Sequence, residues 1–332
     1  MDVNNHAVTH RRTIAHGAVV GIAIILIAAL FLDTLPDRVG SPAWWYTLEL
    51  LGSQVGAMIV VSASIGVSTV LFQTITTNRI LTPSIIGFDA LYLLLQTMLV
   101  WFVTSVPNGA LSFLDNPLAN YALSAGLMII FALALYSWLL LGRKVQLMTL
   151  LLVGLVIGLV FRSFTSLFMR LLDPTAFIQV RAAMFANFSY VDRRLLIVTA
   201  IITIIGIAVA YRRRRNYDVM LLGRDPAISL GINYRRETII VLFLCAVLVA
   251  SSTALVGPVL FFGLIVANGA YQLLSTQRHS HTLPMAVALG VAALAGGQLA
   301  LRQFGVEGSL SVAVEFIGGA LFLFLLLRGR TS

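Results

Sequence analysis

The sequence predicts an all-α fold, a polytopic bundle of about ten transmembrane helices. Of its 332 residues, 59% are hydrophobic and only 11% are charged, and the mean hydropathy is +0.96. A bilayer core about 30 Å thick needs about 20 apolar residues per helix, and uncharged stretches approaching that length recur along the whole chain. These stretches are apolar on every side. A β-barrel is excluded because its strands alternate apolar and polar residues.

The predicted spans follow one another from the N-terminus. Six uncharged stretches each hold one span: 17–32, 50–72, 90–114, 116–142, 145–161 and 195–211. The longer stretch 238–277 holds two spans broken at Gly257-Pro258, because proline lacks the amide hydrogen and glycine relaxes the backbone. The stretches 282–301 and 312–327 complete the bundle, and Glu315 lies inside the last of them.

The distribution of positive charge predicts that both termini lie in the cytoplasm. In that orientation, fifteen of the 22 lysines and arginines fall on the cytoplasmic side, where positive charge is favoured. Arg11 and Arg12 precede the first stretch, which we expect to be a retained span because no small-residue cleavage site follows it. The net charge of +9 is therefore mainly a topology signal. Membrane lipid is the expected contact of the basic clusters, and no soluble basic domain remains to bind nucleic acid.

Two segments outside the predicted spans are long enough to carry a task of their own. The external loop 169–194 has four arginines against two aspartates, which favours either an acidic partner or an interfacial helix whose arginines reach lipid headgroups. The cytoplasmic segment 212–237 has charged ends around an apolar middle. Its pattern predicts two short helices that meet at Gly223, with Asp225 as a cap. A short apolar knob of this kind is typical of a surface that docks into a protein groove.

Four blocks of sequence have an order and spacing that identify a family. The segment 212–237 contributes Leu221, Leu222, Gly223, Ala227, Ser229, Leu230 and Gly231. The stretch between the second and third spans contributes Gln73, Asn78, Pro83 and Gly87, and the block GPVLFFGLIV contributes Gly257, Pro258 and Gly263. The fourth block runs from Gln298 to Arg302. Together they resemble the permease subunits of bacterial iron-siderophore and vitamin B12 ABC importers, a FecCD-like family.

The chain departs from this family's pattern in several places. The family's Asn-Pro pair is Asn78-Arg79 here, its Pro-His pair is Ala267-Asn268, and the aspartate before Arg302 is Gln298. An Arg-Leu-Pro-Arg block that usually opens the second span is missing. These departures suggest a divergent branch, such as one subunit of a pair of non-identical permeases. The motifs QTITTNRILTPSIIGFDAL and EFIGGALF are most similar to permeases for ferric catecholate or mixed siderophores.

The resemblance implies one permease domain, 1–332, with the fold of a type II ABC importer in the bacterial cytoplasmic membrane. Such permeases pair as homo- or heterodimers above two cytoplasmic ATPase subunits, and an extracytoplasmic binding protein delivers the iron-siderophore complex. The resemblance places the ATPase contact in 212–237 and a docking arginine at Arg302, for which a lipid-facing arginine is the alternative. The chain has no Gly-rich phosphate loop, so ATP hydrolysis is expected in a partner subunit and no enzyme activity in this one.

A few residues in or near the predicted spans call for separate interpretation. Asp89, Arg162 and Glu315 are the ionisable residues nearest to the membrane interior, where such groups are often functional. Asp89 and Arg162 are equally consistent with interfacial positions, and Glu315 either pairs with an arginine or lines the pathway. Gly154 and Gly158 form a GxxxG pattern that permits close helix packing.

Other chemistry is not indicated. His279 and His281 have no cysteine or acid nearby in the sequence, which predicts a solvated turn and no metal site. The chain lacks GxSxG, HExxH and paired-carboxylate patterns, so we expect no catalytic residues and no cofactor. The iron would travel with its chelator. Two other classes of protein stay open: a secondary transporter of a small solute driven by an ion gradient, and a structural or catalytic polytopic protein.

Overall fold

The computed structural model describes residues 2–36, 39–105, 116–141, 147–305 and 310–328. These residues form helices and connecting turns, with no strand among them. The helices are α1 (Asp2–Thr34), α2 (Pro42–Thr76), α3 (Phe88–Ser105), α4 (Pro117–Leu141), α5 (Leu147–Met169), α6 (Pro174–Ala183), α7 (Arg193–Arg212), α8 (Arg214–Met220), α9 (Arg224–Ser229), α10 (Tyr234–Val256), α11 (Phe262–Leu274), α12 (His279–Gln303) and α13 (Leu310–Arg328). A single 3-10 turn, Pro83–Ile86, precedes α3.

The predicted spans correspond in order to helices of the structure. Within the described residues, eight helices are long and apolar enough to cross a membrane: α1, α2, α3, α4, α5, α7, α10 and α12. The shorter apolar helices α11 and α13 occupy the remaining two predicted positions. The all-α, polytopic fold class is therefore confirmed.

Helix α2 is the centre of the bundle. Ser41 caps its start by accepting a hydrogen bond from the Trp44 backbone N–H at 3.1 Å, and the helix continues for 35 residues. Almost every residue of its second half is buried, because α7, α10, α11 and α12 pack around it. At 1.5 Å per residue the helix is about 52 Å long, so its ends extend beyond the hydrocarbon core.

Small residues let the neighbouring helices approach α2 closely. A Cβ atom added to Gly290 of α12 would lie 2.8 Å from the Cβ of Ser62, and one added to Gly263 of α11 would meet the Thr69 side chain. The Ser64 hydroxyl lies 2.8 Å from the hydroxyl of Thr203 in α7. Close packing of small side chains and hydrogen bonds between hydroxyls hold membrane helices together where the hydrophobic effect is weak.

The predicted GxxxG contact forms between α5 and the turn before α3. Gly87 has a φ of +95°, and a Cβ added to it would lie 3.2 Å from the carbonyl oxygen of Gly154 and 3.3 Å from the Cα of Gly158. The backbones are therefore in direct contact, as the GxxxG pattern predicts.

The predicted break at Gly257-Pro258 is also present. Helix α10 ends at Val256, Gly257 has a φ of +99°, and α11 begins at Phe262. The break touches the segment 169–194, because the Asn187 backbone N–H donates to the Val256 carbonyl at 2.7 Å. A Cβ added to Gly257 would come within 3.2 Å of the Cα of Ala186.

Helix α6 gives part of the segment 169–194 a regular structure. The Asp173 carboxylate caps it by accepting from the Ala176 backbone N–H at 2.8 Å. Ala176 and Val180 are buried, whereas Arg181 is exposed and its guanidinium lies over the Phe177 ring. The segment is thus docked on the bundle through its apolar side and leaves its cations accessible.

Candidate functional site

The segment 212–237 folds into two short helices, α8 and α9, that meet at a sharp corner. Gly223 has a φ of +97° and Gly231 a φ of +85°, conformations that favour glycine because they crowd a Cβ atom. The predicted pair of helices meeting at Gly223 is present. The predicted cap is wrong: Gly223 itself occupies the cap position, and Asp225 lies in the first turn of α9, where its charge suits the helix dipole.

One side of this corner packs against the bundle. Tyr217, Met220 and Ala227 are fully buried, and the Tyr217 ring lies 5.7 Å from the His279 ring. Burial, followed by the charge of the nearby Glu237, raises the pKa of the Tyr217 phenol. Ala227 therefore serves the packing of α9 and does not offer its side chain to a partner.

The other side of the corner presents apolar side chains to the exterior. Leu222, Ile228 and Leu230 are 60%, 49% and 63% exposed. We call these three residues the coupling surface. Exposed apolar side chains on a segment outside the spans form a surface that a protein partner could cover. Ile228 was not among the seven positions of the family pattern, but it belongs to the apolar middle of 212–237 that the sequence indicates.

The remaining positions of that block have other surroundings. Leu221 is half-buried, and the exposed Ser229 donates its hydroxyl to the Asp225 carbonyl at 3.1 Å. Four of the seven positions, Gly223, Ala227, Ser229 and Gly231, therefore shape or pack the corner. Leu222 and Leu230 are the ones that present a large apolar side chain.

Polar contacts attach the base of the corner to two spans. The Asp218 carboxylate lies 2.7 Å from Nδ1 of His279 at the start of α12, and the other ring nitrogen, Nε2, lies 2.8 Å from the Thr74 hydroxyl in α2. The solvated turn predicted for His279 and His281 is wrong. Both lie in α12, His279 is 1% exposed, and the His281 carbonyl is 3.1 Å from Nε2 of His16.

A second attachment joins the end of α7 to the start of α10. The Arg213 guanidinium donates to the Glu237 carboxylate at 2.7 Å, and the Asn216 side-chain amide donates to the same oxygen at 3.0 Å. Glu237 is buried, and a buried carboxylate is costly unless it is paired. The two contacts therefore hold α8 firmly against α10.

The second and third family blocks meet at the turn after α2. The Arg79 carbonyl accepts hydrogen bonds from Nε2 of Gln73 at 2.7 Å and from Nδ2 of Asn268 at 3.0 Å. The Arg79 guanidinium lies 5.2 Å from the centre of the Tyr271 ring. Arg79 and Asn268, two of the departures from the family pattern, therefore meet, and the contact is made through the main-chain carbonyl of Arg79.

Other positions of the second block shape the same connection. The Asn78 side-chain oxygen accepts from the Ile80 backbone N–H at 2.9 Å. Pro83 opens the 3-10 turn, where its fixed φ is favourable, and Gly87 closes it. These positions set the path of the chain from α2 to α3.

Arg302 lies at the opposite end of the bundle from the coupling surface, in the last turn of α12. Its guanidinium contacts the Thr34 hydroxyl of α1 and donates to the Gln54 side chain of α2 at 3.3 Å. The side chain is partly exposed, as is that of Gln298. Arg302 thus joins three helices. Exposed cations at this end include Arg193 and Arg194, and Arg193 pairs with Glu49 at 3.3 Å.

The three ionisable residues singled out in the spans are electrostatic neighbours. Asp89 is buried at the start of α3, and its carboxylate interacts with the charges of Arg162 in α5 and Glu315 in α13. One Asp89 oxygen is buried without a hydrogen-bond partner in the part of the chain that the structure describes. In that same part, no group of three His, Cys, Asp or Glu side chains could hold a metal ion.

Comparisons with known proteins agree on one family. Residues 34–328 match the pattern of the FecCD transport family. The chain is 39% identical to the petrobactin import system permease protein YclO of Bacillus subtilis (strain 168), over 94% of this chain and 96% of that protein. It is 32% identical to the petrobactin import system permease protein FatC of Bacillus anthracis, over 94% of this chain and 87% of that protein.

A solved structure shares the fold. It is an inward-facing conformation of a metal-chelate type ABC transporter, with a TM-score of 0.73 over 94% of this chain and 99% of that chain. The sequence identity is 18%, so this likeness concerns the arrangement of helices alone.

Proposed function

Because this chain belongs to the FecCD transport family, we propose that it carries an iron-siderophore complex across the bacterial cytoplasmic membrane as one half of an ATP-driven importer. The family consists of permease subunits, and ATP hydrolysis takes place in a separate subunit. Two relatives of nearly the same length are named as petrobactin import permeases. A petrobactin-type ferric siderophore is therefore the substrate that we propose.

The coupling surface is the observation that carries this proposal. Three exposed apolar side chains, Leu222, Ile228 and Leu230, lie on a corner whose other side is fixed to the bundle. In the proposed orientation both termini and this corner are cytoplasmic, and the surface seats in a groove of the ATPase. The chain is then one permease domain, 1–332, with 212–237 as its coupling segment.

The attachments of the corner explain how movement would reach the spans. When two ATPase subunits close on ATP, the corner moves with them as a rigid body. Asp218 transmits this displacement through His279 to α12 and through Thr74 to α2. The Arg213–Glu237 pair transmits it to α10. Tilting these central helices would open the pathway to one side and close it to the other.

The external loop 169–194 is proposed to receive the binding protein together with Arg302. Its exposed arginines suit acidic groups on such a partner. The loop also touches the break between α10 and α11 through Asn187 and Val256, so a partner that displaces the loop would move the outer end of α10. A second permease subunit, identical or not, would complete the pathway.

Reconstituted transport tests the proposal. The permease pair, its ATPase and the siderophore-loaded binding protein are placed in proteoliposomes, and uptake of radioactive iron as ferric petrobactin is followed. We expect uptake that requires ATP and the binding protein and that persists when an ionophore collapses the proton gradient. Uptake that continues without ATP and stops with the ionophore would instead support a secondary transporter.

A further inference from the structure

The four consecutive arginines 212–215 do not share one environment. Arg213 turns inward and pairs with the buried Glu237 at 2.7 Å. The other three line an open cavity of about 600 Å³ together with Ala208 and Tyr211. Among the described residues, none of these three forms a salt bridge with a carboxylate. Within the described residues, three positive charges therefore line one cavity without a paired carboxylate.

Part of this cavity is already ordered. The Arg214 guanidinium lies 4.1 Å from the centre of the Tyr211 ring, and its Nη1 donates to the Tyr211 carbonyl at 3.0 Å. An arginine stacked on an aromatic ring has lost much of its rotamer freedom before a ligand arrives. Its planar donors suit the oxygens of a phosphate, which it can bind in a bidentate manner.

The position of the cavity on α7 indicates which phosphate it meets. Helix α7 has 20 residues and is therefore about 30 Å long, the thickness of the hydrocarbon core. Arg212 is its last residue, at the boundary between hydrocarbon and headgroups. Ile201 and Ile205, which are 53% and 59% exposed, lie on the same helical face as Ala208 and Arg212 because their spacing is three or four residues. An apolar surface thus leads directly to the cationic cavity.

We propose that this cavity binds the phosphate headgroup of an anionic phospholipid, with an acyl chain lying along Ile201 and Ile205. In the proposed orientation the lipid belongs to the cytoplasmic leaflet, where anionic headgroups attract basic residues next to a span. The site lies at the junction of α7 and α8. A bound lipid would therefore hold the membrane end of the coupling segment at a defined depth while the corner moves.

An acidic surface of the ATPase is the competing occupant, and two observations disfavour it. The cavity lies at the end of α7, a span with an exposed apolar face, and the 20-residue length of α7 predicts that this end lies among the headgroups. The coupling surface, in contrast, is apolar and lies on the corner beyond α8. A protein seated on Leu222 and Leu230 has its contact at a different place from the three arginines.

Lipid retention by paired charge variants tests the site. The purified permease is incorporated into nanodiscs of phosphatidylcholine with phosphatidylglycerol, extracted in mild detergent and examined by native mass spectrometry. We expect Arg212→Gln/Arg215→Gln to lower the affinity for phosphatidylglycerol roughly thirtyfold, because each arginine near an anionic surface contributes about 1 kcal/mol. Arg212→Lys/Arg215→Lys should retain an intermediate affinity, since it keeps the charge and loses the planar donors.

The control pair is Arg236→Gln/Arg278→Gln, which removes the same charge from exposed arginines outside the cavity. It should retain the lipid as the wild type does. If this control lost as much affinity for phosphatidylglycerol, the effect would be one of net charge and the proposed site would be overturned. The site would also be overturned if inorganic phosphate bound as tightly as the lipid. The same would follow if the ATPase, and not phosphatidylglycerol, protected the three arginines from chemical labelling.

Discussion

Nδ1 of His279 lies 2.7 Å from Oδ1 of Asp218, and the same oxygen accepts the His279 backbone N–H at 2.8 Å. One carboxylate oxygen thus caps the start of α12 and orients its imidazole, whose other nitrogen faces Thr74. Three separate parts of the chain, α2, α8 and α12, meet at this one ring. This ring joins the coupling segment to the central helix of the bundle through two polar contacts.

Removing this connection should separate ATP hydrolysis from transport. We expect Asp218→Asn and His279→Ala each to lower uptake at least about tenfold while the complex still hydrolyses ATP, because a hydrogen bond to a charged group contributes about 1.5–3 kcal/mol. The ratio of ATP hydrolysed to iron transported measures the effect. In the double variant the two losses should not add, since each substitution breaks the same contact. Additive losses would mean that the two residues act independently.

The acid dependence of stability should identify the Asp218 carboxylate. Partial burial alone would raise the pKa of Asp218, but the hydrogen bonds from His279 outweigh it and the net pKa is lowered. A carboxylate with a lowered pKa stabilises the fold above its unfolded value, near 3.8, and this contribution is lost as the pH falls through the folded value. Melting temperatures of the wild type and Asp218→Asn should therefore differ from neutral pH down to about pH 4 and converge below it. A constant difference at all pH values would assign the effect to something other than ionisation.

Polar substitutions on the coupling surface should lower the affinity of the permease for the ATPase. Leu222→Ser and Leu230→Ser each remove an exposed apolar side chain whose burial in a groove contributes about 1.5 kcal/mol, so each should weaken ATPase binding about tenfold. Affinity can be measured in detergent with the purified ATPase. The matched control is Leu171→Ser, because Leu171 is 58% exposed and lies on the external side in the proposed topology. Equal effects in all three variants would remove the coupling role from this surface.

Gly87→Ala should destabilise the protein itself. The φ of +95° disfavours any Cβ, and the new methyl group would press on the Gly154 carbonyl at 3.2 Å, so we expect a loss of about 1–3 kcal/mol. The control Gly126→Ala places a methyl group in α4 where, apart from the helix's own backbone, no atom of the described residues lies within 4 Å, and it should leave stability unchanged or raise it by up to about 1 kcal/mol. Thermal unfolding in detergent compares the two. If Gly126→Ala were destabilised as much as Gly87→Ala, the loss at Gly87 could not be attributed to its contact with Gly154.

Arg302→Ala should show whether Arg302 only stabilises the packing of α1, α2 and α12 or also docks the binding protein. The side chain contacts Thr34 and Gln54, so its loss should lower the melting temperature through α1 and α2. If Arg302 also docks the binding protein, affinity for that protein should fall further than in Thr34→Ala, which loosens the brace and keeps the charge. Equal affinities in the two variants would leave Arg302 as a brace and assign docking to the arginines of 169–194.

Much of the membrane architecture could be read from local sequence. Uncharged length places the spans, and the Gly257-Pro258 pair favours a helix break through local backbone effects, so the break before α11 was predictable from these two residues. The GxxxG pattern of Gly154 and Gly158 indicated a close approach. Its partner, Gly87, is far away in sequence and was found only in the structure. The family blocks likewise marked the right segments and did not reveal which side chains point outward.

The errors have a common cause. His279 was predicted to be solvated because no acid is near it in sequence, yet its acid, Asp218, is 61 residues away. Asp225 was predicted as a cap from composition, although the corner needs a positive φ at the position that Gly223 fills. The environment of His279 and the cap of α9 both depend on how α8 and α9 pack against the spans.

Hydropathy and motif spacing are properties of contiguous residues, so about ten membrane spans and the permease family could be inferred before any tertiary contact was known. The polar contacts appeared only in the folded chain: Asp218 with His279, the Arg79 carbonyl with Asn268, and Arg213, unlike its three neighbouring arginines, with Glu237. The physical reason is that buried polar groups need partners, and helix packing brings those partners from distant parts of the chain.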